Sequence, residues 1–322
     1  MKNKKMAIIM SSILTLTGAF GITQSQASGL QQVTETAWTS YAKTKYPLVF
    51  VHGLFGFNRL GSAEFGLDYF YQVLPDLARN GATTFATRVA PMNSNEVRGE
   101  QLLAQVEEVI AITGKPKVNL IGHSQGGPTT RYVLGTRPDL VASVTNVAGA
   151  NDGSPVADAV LASSIDKLLA PVIDNLFGPV LQYAMQHNYE SDITASLNSL
   201  STKGAREFNQ RFPAGIPTSA CADGASQTNG IYMYSFTGIG LTTNILDPDT
   251  LLTSAGYFLF DGQKNDGLIS QCSSRFGKTI RDDYNWNHFD EVNQVMGLRD
   301  IFSPDPVDVY RQHANRLKLQ GL

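Results

Sequence analysis

The chain has little surplus charge, few cysteines and no long apolar run, and each scarcity excludes something. Lys and Arg number 25 against 28 Asp and Glu, a net charge of −3. That balance suggests neither nucleic acid nor an anionic membrane as an electrostatic partner. Cysteine occurs twice, at Cys221 and Cys272, so any disulfide framework is limited to one bridge. The longest apolar stretch, near the start, is too short and too interrupted by Thr and Gly to span a bilayer. No Pro/Ser-rich linker, internal repeat or charge block divides the rest.

That first stretch, M-K-N-K-K-M-A-I-I-M-S-S-I-L-T-L-T-G-A-F, pairs a basic start with an apolar core. Small residues follow at Ser25 and Ala27, the pattern of a secretory signal peptide spanning residues 1–27 and cut after Ala27. No cysteine lies near the cut, so no lipid attachment is expected there. The mature part, 28–322, is long enough for one large α/β domain. Two cysteines in an exported chain are expected to pair. The bridge would close a loop of about 50 residues, worth roughly 4 kcal/mol in the chain-entropy picture.

The most informative segment is Val118 to Gly127, V-N-L-I-G-H-S-Q-G-G. The bare G-x-S-x-G pattern is weak in a chain with 29 glycines. Its context is stronger, because an apolar strand precedes it and the helix-like P-T-T-R-Y-V-L follows. Strand, tight turn and helix make a nucleophile elbow that exposes the Ser124 hydroxyl above a sheet.

Other apolar runs read as buried strands: Tyr46–Val51, Thr83–Ala90, Val141–Val147, Ile231–Phe236 and Gly256–Phe260. Between them lie a helix over Tyr69–Arg79 and another capped by Asn93 or Ser94. The second carries Val97, Leu102, Val106, Val109 and Ile110 at helical spacing and ends at Gly114. This alternation predicts a mainly parallel sheet covered by helices on both faces, and the elbow motif upon it is that of an α/β-hydrolase fold. Between about 154 and 190 the pattern changes. Leu168, Leu169, Val172, Ile173, Leu176, Phe177, Val180 and Leu181 form a wide apolar stripe broken by Pro171 and Pro179. It reads either as a core helix pair or, the reading favoured here, as a helical lid over the active site.

A serine nucleophile needs a histidine base oriented by a carboxylate. The order Ser, acid, His excludes His52 and His123. His187 lies in the apolar segment, and His313 sits on a terminal amphipathic helix, Val307–Leu319, where a solvated surface role is expected. His288, in Y-N-W-N-H-F-D-E, is the candidate base. Asp266, in the turn Lys264–Gly267, is the leading acid, with Asp261, Asp247 and Asp249 as competitors. The oxyanion requires two backbone donors. Gln125 N–H and Leu54 N–H, in His52-Gly-Leu-Phe-Gly56, are the candidates.

V-F-V-H-G-L-F-G-F, N-L-I-G-H-S-Q-G-G, V-A-G-A-N-D-G-S-P, K-N-D-G-L-I-S-Q-C-S-S and N-H-F-D-E-V-N-Q-V-M-G-L occur in that order across nearly the whole mature chain. Together they resemble the secreted triacylglycerol lipases of the Pseudomonas/Burkholderia type. The resemblance implies a triad of Ser124, Asp266 and His288, oxyanion donors at Leu54 and Gln125, and a disulfide between Cys221 and Cys272. It also implies one structural calcium ion held by Asp247, Asp290 and the backbone carbonyls of Gln294 and Leu298, oxygen ligands suited to a hard cation. Asp249, two residues from Asp247, could substitute as a ligand. Apart from the resemblance, Asp290 reads first as a surface carboxylate capping a helix from Glu291. A lipid/water interface as the working surface, a dedicated foldase chaperone and a secreted, monomeric enzyme are further expectations. The same residues would also serve a carboxylesterase or acyltransferase on soluble esters. A non-catalytic binding module of this fold would be expected to lack a triad residue.

Overall fold

The computed structural model describes residues 29–61, 66–162, 178, 182, 191–254 and 256–322. The expected signal peptide, His187 and most of the expected lid lie outside the described residues. A sheet runs β1 (Gln31–Val33), β5 (Thr84–Ala86), β2 (Leu48–Val51), β6 (Val118–His123), β7 (Val141–Val147), β9 (Ile231–Gly238) and β10 (Lys278–Tyr284), with β8 (Gln227–Thr228) hairpinned onto β9. From β5 to β10 every pairing along that order is parallel, and β1 is an antiparallel edge. β3 (Arg59–Gly61) and β4 (Gly66–Asp68) form a separate antiparallel pair.

The apolar strands alternate between two cores. Leu48 and Phe50 of β2 face one core with α1 (Val73–Arg79) and the last helix, Pro306–Leu319. Val49 and Val51 face the other, with α2 (Asn95–Thr113) and α3 (Gly126–Thr136). A strand buried on both faces must be apolar at every position, which is why its sequence shows no period of two. Phe50 meets Phe70 edge to face at 5.0 Å, and burial of each such ring stabilises by about 1.5–3 kcal/mol. Ser94 caps α2 by accepting from Val97 N–H, and Gly114 ends it in a left-handed turn. α4 (Pro155–Ala162), α5 (Ile193–Leu200) and α6 (Thr202–Arg211) follow β7. Cys221 and Cys272 are joined by a disulfide.

Three expectations need correction. Gly256–Leu259 is a short helix, α8, after α7 (Thr250–Thr253), and not a strand. Its Tyr257 and Phe258 are exposed, so the apolar run does not mark a buried strand. On α2 the buried face carries Arg98, and Val97 is exposed. His313 is not solvated. It lies on the last helix, α9 (Pro306–Leu319), one turn after Tyr310 on its buried face. Arg316 Nη1 donates to His313 Nδ1 at 3.0 Å, so Nε2 carries the proton and donates to Thr145 Oγ1 at 2.7 Å. Burial, aided by the Arg316 charge, pushes its pKa down to about 3.

The neutral ring has a consequence for acid stability. Below about pH 6.5 the unfolded chain binds a proton at His313 that the folded chain refuses, so stability falls as pH drops from there towards 3. The variant His313→Gln should lose less. Chemical denaturation at pH 6.5, 5.5 and 4.5 should show the gap between the proteins shifting in the variant's favour by about 1.4 kcal/mol per pH unit. A pH-independent gap would contradict this.

Candidate active site

All six residues of β6 are buried, and the next residue, Ser124, has φ of 56°, a left-handed conformation that costs a non-glycine residue about 1 kcal/mol or more. Neighbouring backbone holds it there. Ser124 N–H donates to Val147 O at the end of β7 at 3.0 Å, and Gly127 N–H donates to Ser124 O at 3.0 Å. A side chain at Gly122 would strike the Gly126 carbonyl, and one at Gly126 would strike the Val51 carbonyl. Helix α3 can therefore start this close to β6 and β2 only with glycine at both positions. The turn delivers Ser124 to the carboxyl end of the parallel strands, where ligands of such sheets bind.

His288 sits in the loop after β10 and Asp266 in the turn after α8. Asp266 Oδ2 is 2.7 Å from His288 Nδ1, and His288 N–H donates to Asp266 O at 2.9 Å. The other carboxylate oxygen accepts from Leu268 N–H and Ile269 N–H at 2.9 and 2.7 Å. Both side chains are buried. A carboxylate only accepts, so Nδ1 carries the imidazole proton and Nε2 keeps its lone pair. The structure thus brings Asp266 to His288. It does not bring Asp261, which is exposed, or Asp247 and Asp249, which lie in a separate cluster. Ser124 Oγ and His288 do not hydrogen-bond in this structure. Such contacts commonly tighten only when substrate is present.

The loop His52–Gly56 lies directly against Ser124. A Cβ at Gly53 would be 2.7 Å from that of Ser124. Among the described residues, the N–H groups of Leu54 and Gln125 donate to no protein acceptor. The sequence reading missed the groups that hold this loop. Buried Arg98 donates to His52 O at 2.6 Å and to Ala90 O at 2.5 Å, and Tyr69 Oη accepts from Gly53 N–H at 3.1 Å. The signal for Arg98 would have been its place one turn before Leu102 on the buried face of α2.

A profile of the α/β-hydrolase fold matches residues 46–232. A triacylglycerol lipase of Vibrio cholerae serotype O1 is 47% identical over 287 residues, covering 88% of this chain and 90% of the relative. A triacylglycerol lipase of Burkholderia plantarii is 37% identical, covering 97% and 95%. The chain belongs to the triacylglycerol lipase family of the α/β-hydrolase fold. The crystal structure of Staphylococcus hyicus lipase, 19% identical, aligns with a TM-score of 0.61 over 89% of this chain and 99% of that one, a likeness of fold.

This lipase-family chain carries a second buried cluster beside His288. Asp247, Asp249 and Asp290 are all buried, so Asp290 is not a surface carboxylate. Asn287 N–H donates to one Asp290 oxygen at 2.9 Å and Asn287 Nδ2 to one Asp249 oxygen at 2.8 Å. Asp247 Oδ2, Asp249 Oδ2 and Asp290 Oδ1 are buried without a hydrogen-bond partner. Burial, then repulsion from Asp247 and Asp290, pushes Asp249 up to about 9, and burial chiefly pushes Asp290 up to about 7. Asp247 is raised too, mainly by burial. Three carboxylates cannot stay ionised together in a low-dielectric site without a compensating charge. The backbone carbonyls of Gln294 and Leu298 accept no hydrogen bond among the described residues. Oxygen donors of this number and charge fit a hard divalent cation.

Calcium should therefore raise the thermal midpoint and excess chelator should lower it, with activity following as the loop carrying His288 loosens. A midpoint unchanged by chelator would contradict the fit.

Proposed function

We propose that the protein hydrolyses the ester bonds of triacylglycerols by two-step acyl transfer through Ser124. His288 Nε2, its lone pair fixed by the Nδ1–Asp266 bond, takes the hydroxyl proton as Ser124 Oγ attacks the ester carbonyl. Leu54 N–H and Gln125 N–H receive the charge that develops on the carbonyl oxygen. His288 returns the proton to the departing alcohol. Water, deprotonated by the same ring, then releases the fatty acid and restores Ser124. The reading rests on the 2.7 Å contact between His288 and Asp266 beside an elbow serine, in a chain 47% identical to a triacylglycerol lipase.

The surroundings suit an acyl chain. Leu54, Ala150, Ala157, Leu200 and Ile269 form an apolar cluster running from the His52–Gly56 loop to α4 and α5. Segment 154–190, described mainly at α4, is read as the lid whose apolar face meets a lipid surface. The basic-then-apolar sequence pattern of residues 1–27 and the disulfide between Cys221 and Cys272 support export to an oxidising compartment. Calcium is the cation assigned to the carboxylate cluster, on Asp247, Asp290 and the carbonyls of Gln294 and Leu298, with Asp249 as an added neighbour. When bound it supplies charge compensation, and its ligand Asp290 lies two residues past His288. Its role is therefore in holding the base in place.

Ser124→Ala should abolish ester hydrolysis while leaving the thermal midpoint within a few degrees. The wild-type protein should hydrolyse dispersed long-chain triglyceride faster than soluble short esters, with a rise in rate above the substrate's solubility limit. Turnover in folded Ser124→Ala would refute the nucleophile. A rate confined to soluble esters would make the protein a carboxylesterase.

A further inference from the structure

The peptide joining His52 and Gly53 is held at both ends. Its carbonyl accepts from Arg98 Nη2 at 2.6 Å, and its N–H donates to Tyr69 Oη at 3.1 Å. The next carbonyl, of Gly53, accepts from Gly56 N–H at 3.2 Å and lies 2.9 Å from His52 Nδ1. In a trans peptide the N–H points opposite the C=O, so fixing the Gly53 carbonyl fixes the direction of Leu54 N–H.

Tyr69 is also joined to the other side of the site. Its hydroxyl is 2.7 Å from His123 Nδ1, and His123 Nε2 is 3.0 Å from the backbone carbonyl of His288. The donors in this chain can be assigned. The His288 carbonyl only accepts, so His123 Nε2 carries a proton. Burial, then the neighbouring His288, holds the His123 pKa well below its ordinary value, so the ring is neutral and Nδ1 is an acceptor. Glu291, fully buried, lies 3.7 Å from His123 Nε2, too far to compete with the His288 carbonyl for its hydrogen bond. Tyr69 O–H therefore donates to His123, and its oxygen is left to accept from Gly53. Gly53 N–H to Tyr69, Tyr69 O–H to His123 and His123 N–H to His288 O all run one way, so each bond polarises the next.

We propose that Tyr69 and His123 are positioning residues that couple the oxyanion loop to the backbone of the catalytic base through this one-way chain of three hydrogen bonds. Neither hydrogen-bonds to Ser124 Oγ or His288 Nε2, although the His123 ring also packs on the His288 ring with centroids 4.6 Å apart. The chain ties the peptide before Leu54 to the residue that moves the proton, so donor and base keep their spacing during acyl transfer. The inference rests on the assignment of Ser124, His288 and Leu54 made above. Tyr69 is a clean handle. Its ring packs on Phe57, Phe70, His52 and His123 with centroids 5.1–5.8 Å away, contacts a phenylalanine would keep.

The experiment is a double-mutant cycle of Tyr69→Phe and His123→Asn, read on a soluble p-nitrophenyl ester. Tyr69→Phe should lower kcat by about 10- to 100-fold, the range expected for misplacing one oxyanion donor without deleting it. KM should stay within about twofold, and affinity for an alkylboronic acid, a mimic of the tetrahedral intermediate, should weaken in parallel with kcat. The double variant should be no more than about threefold worse than the poorer single, because one break already severs the chain. Losses that multiply, or a Tyr69→Phe enzyme with kcat within twofold of wild type, would overturn the coupling. If His123→Asn does not fold, the kcat, KM and boronate readings on Tyr69→Phe decide alone. Ser124→Ala is run alongside. Turnover there overturns the site assignment itself, whereas an inert Ser124→Ala with a fully active Tyr69→Phe overturns only the chain.

Discussion

The site depends on one backbone constraint, the left-handed turn at Ser124 between β6 and α3. A turn this sharp brings the start of a helix against two strands, and it exists because Gly122 and Gly126 carry no side chain there. The strain is held by the Val147 carbonyl on one side and the Gly127 amide on the other. Rigid neighbours let the protein keep an unfavourable conformation at Ser124, which is itself buried at the carboxyl end of the strands. The sheet's role is to supply that rigidity. Its β6 and β7 strands are buried along their whole length, and each face is sealed by its own helix pair.

The second principle at work is the handling of buried charge. His52, His123 and His313 are all driven towards the neutral form by burial, and each then offers one donor and one acceptor nitrogen. A neutral imidazole can join two partners directionally where a charged one would demand a counter-ion. The carboxylates Asp247, Asp249 and Asp290 cannot be satisfied in that way, because their unpartnered oxygens crowd together out of water. The same residue class thus serves two ends. Asp266, with its oxygens spread over His288 and two amides, orients the His288 ring, while the crowded cluster is left without compensating charge.

Sequence displayed the frame and the residues of the candidate site well. The strand Val141–Val147 was legible to the residue, because a strand buried on both faces is a continuous apolar run bounded by polar turns. Ser124 and His288 stood out from chain order and turn context, whereas Asp266 was one of four candidate acids until the family resemblance singled it out. Where the reading failed, the cause was local ambiguity. The run Gly256–Phe260 is too short for apolarity to separate strand from helix. β10, K-T-I-R-D-D-Y, was missed because an edge position leaves it largely polar and half-exposed. His313 was placed in solvent for its chemistry, although its spacing from Tyr310, Ala314 and Leu317 put it on the buried stripe of α9. The burial of Arg98 could have been read from its spacing to Leu102, but the roles of Tyr69 and Arg98 were missed for a different reason. Their partners are backbone atoms of the His52–Gly53 peptide, and a sequence does not show which backbone atoms come together.

The central claim is that Ser124 is a nucleophile made reactive by its setting. Its most direct test is inactivation by a long-chain p-nitrophenyl alkylphosphonate, followed by intact-mass measurement and peptide mapping. One phosphonyl group per chain, carried on the peptide containing Ser124 and appearing in step with loss of activity, is the predicted result. Full loss of activity with Ser124 unmodified, or a labelled Ser124 in a protein that still turns over, would contradict it.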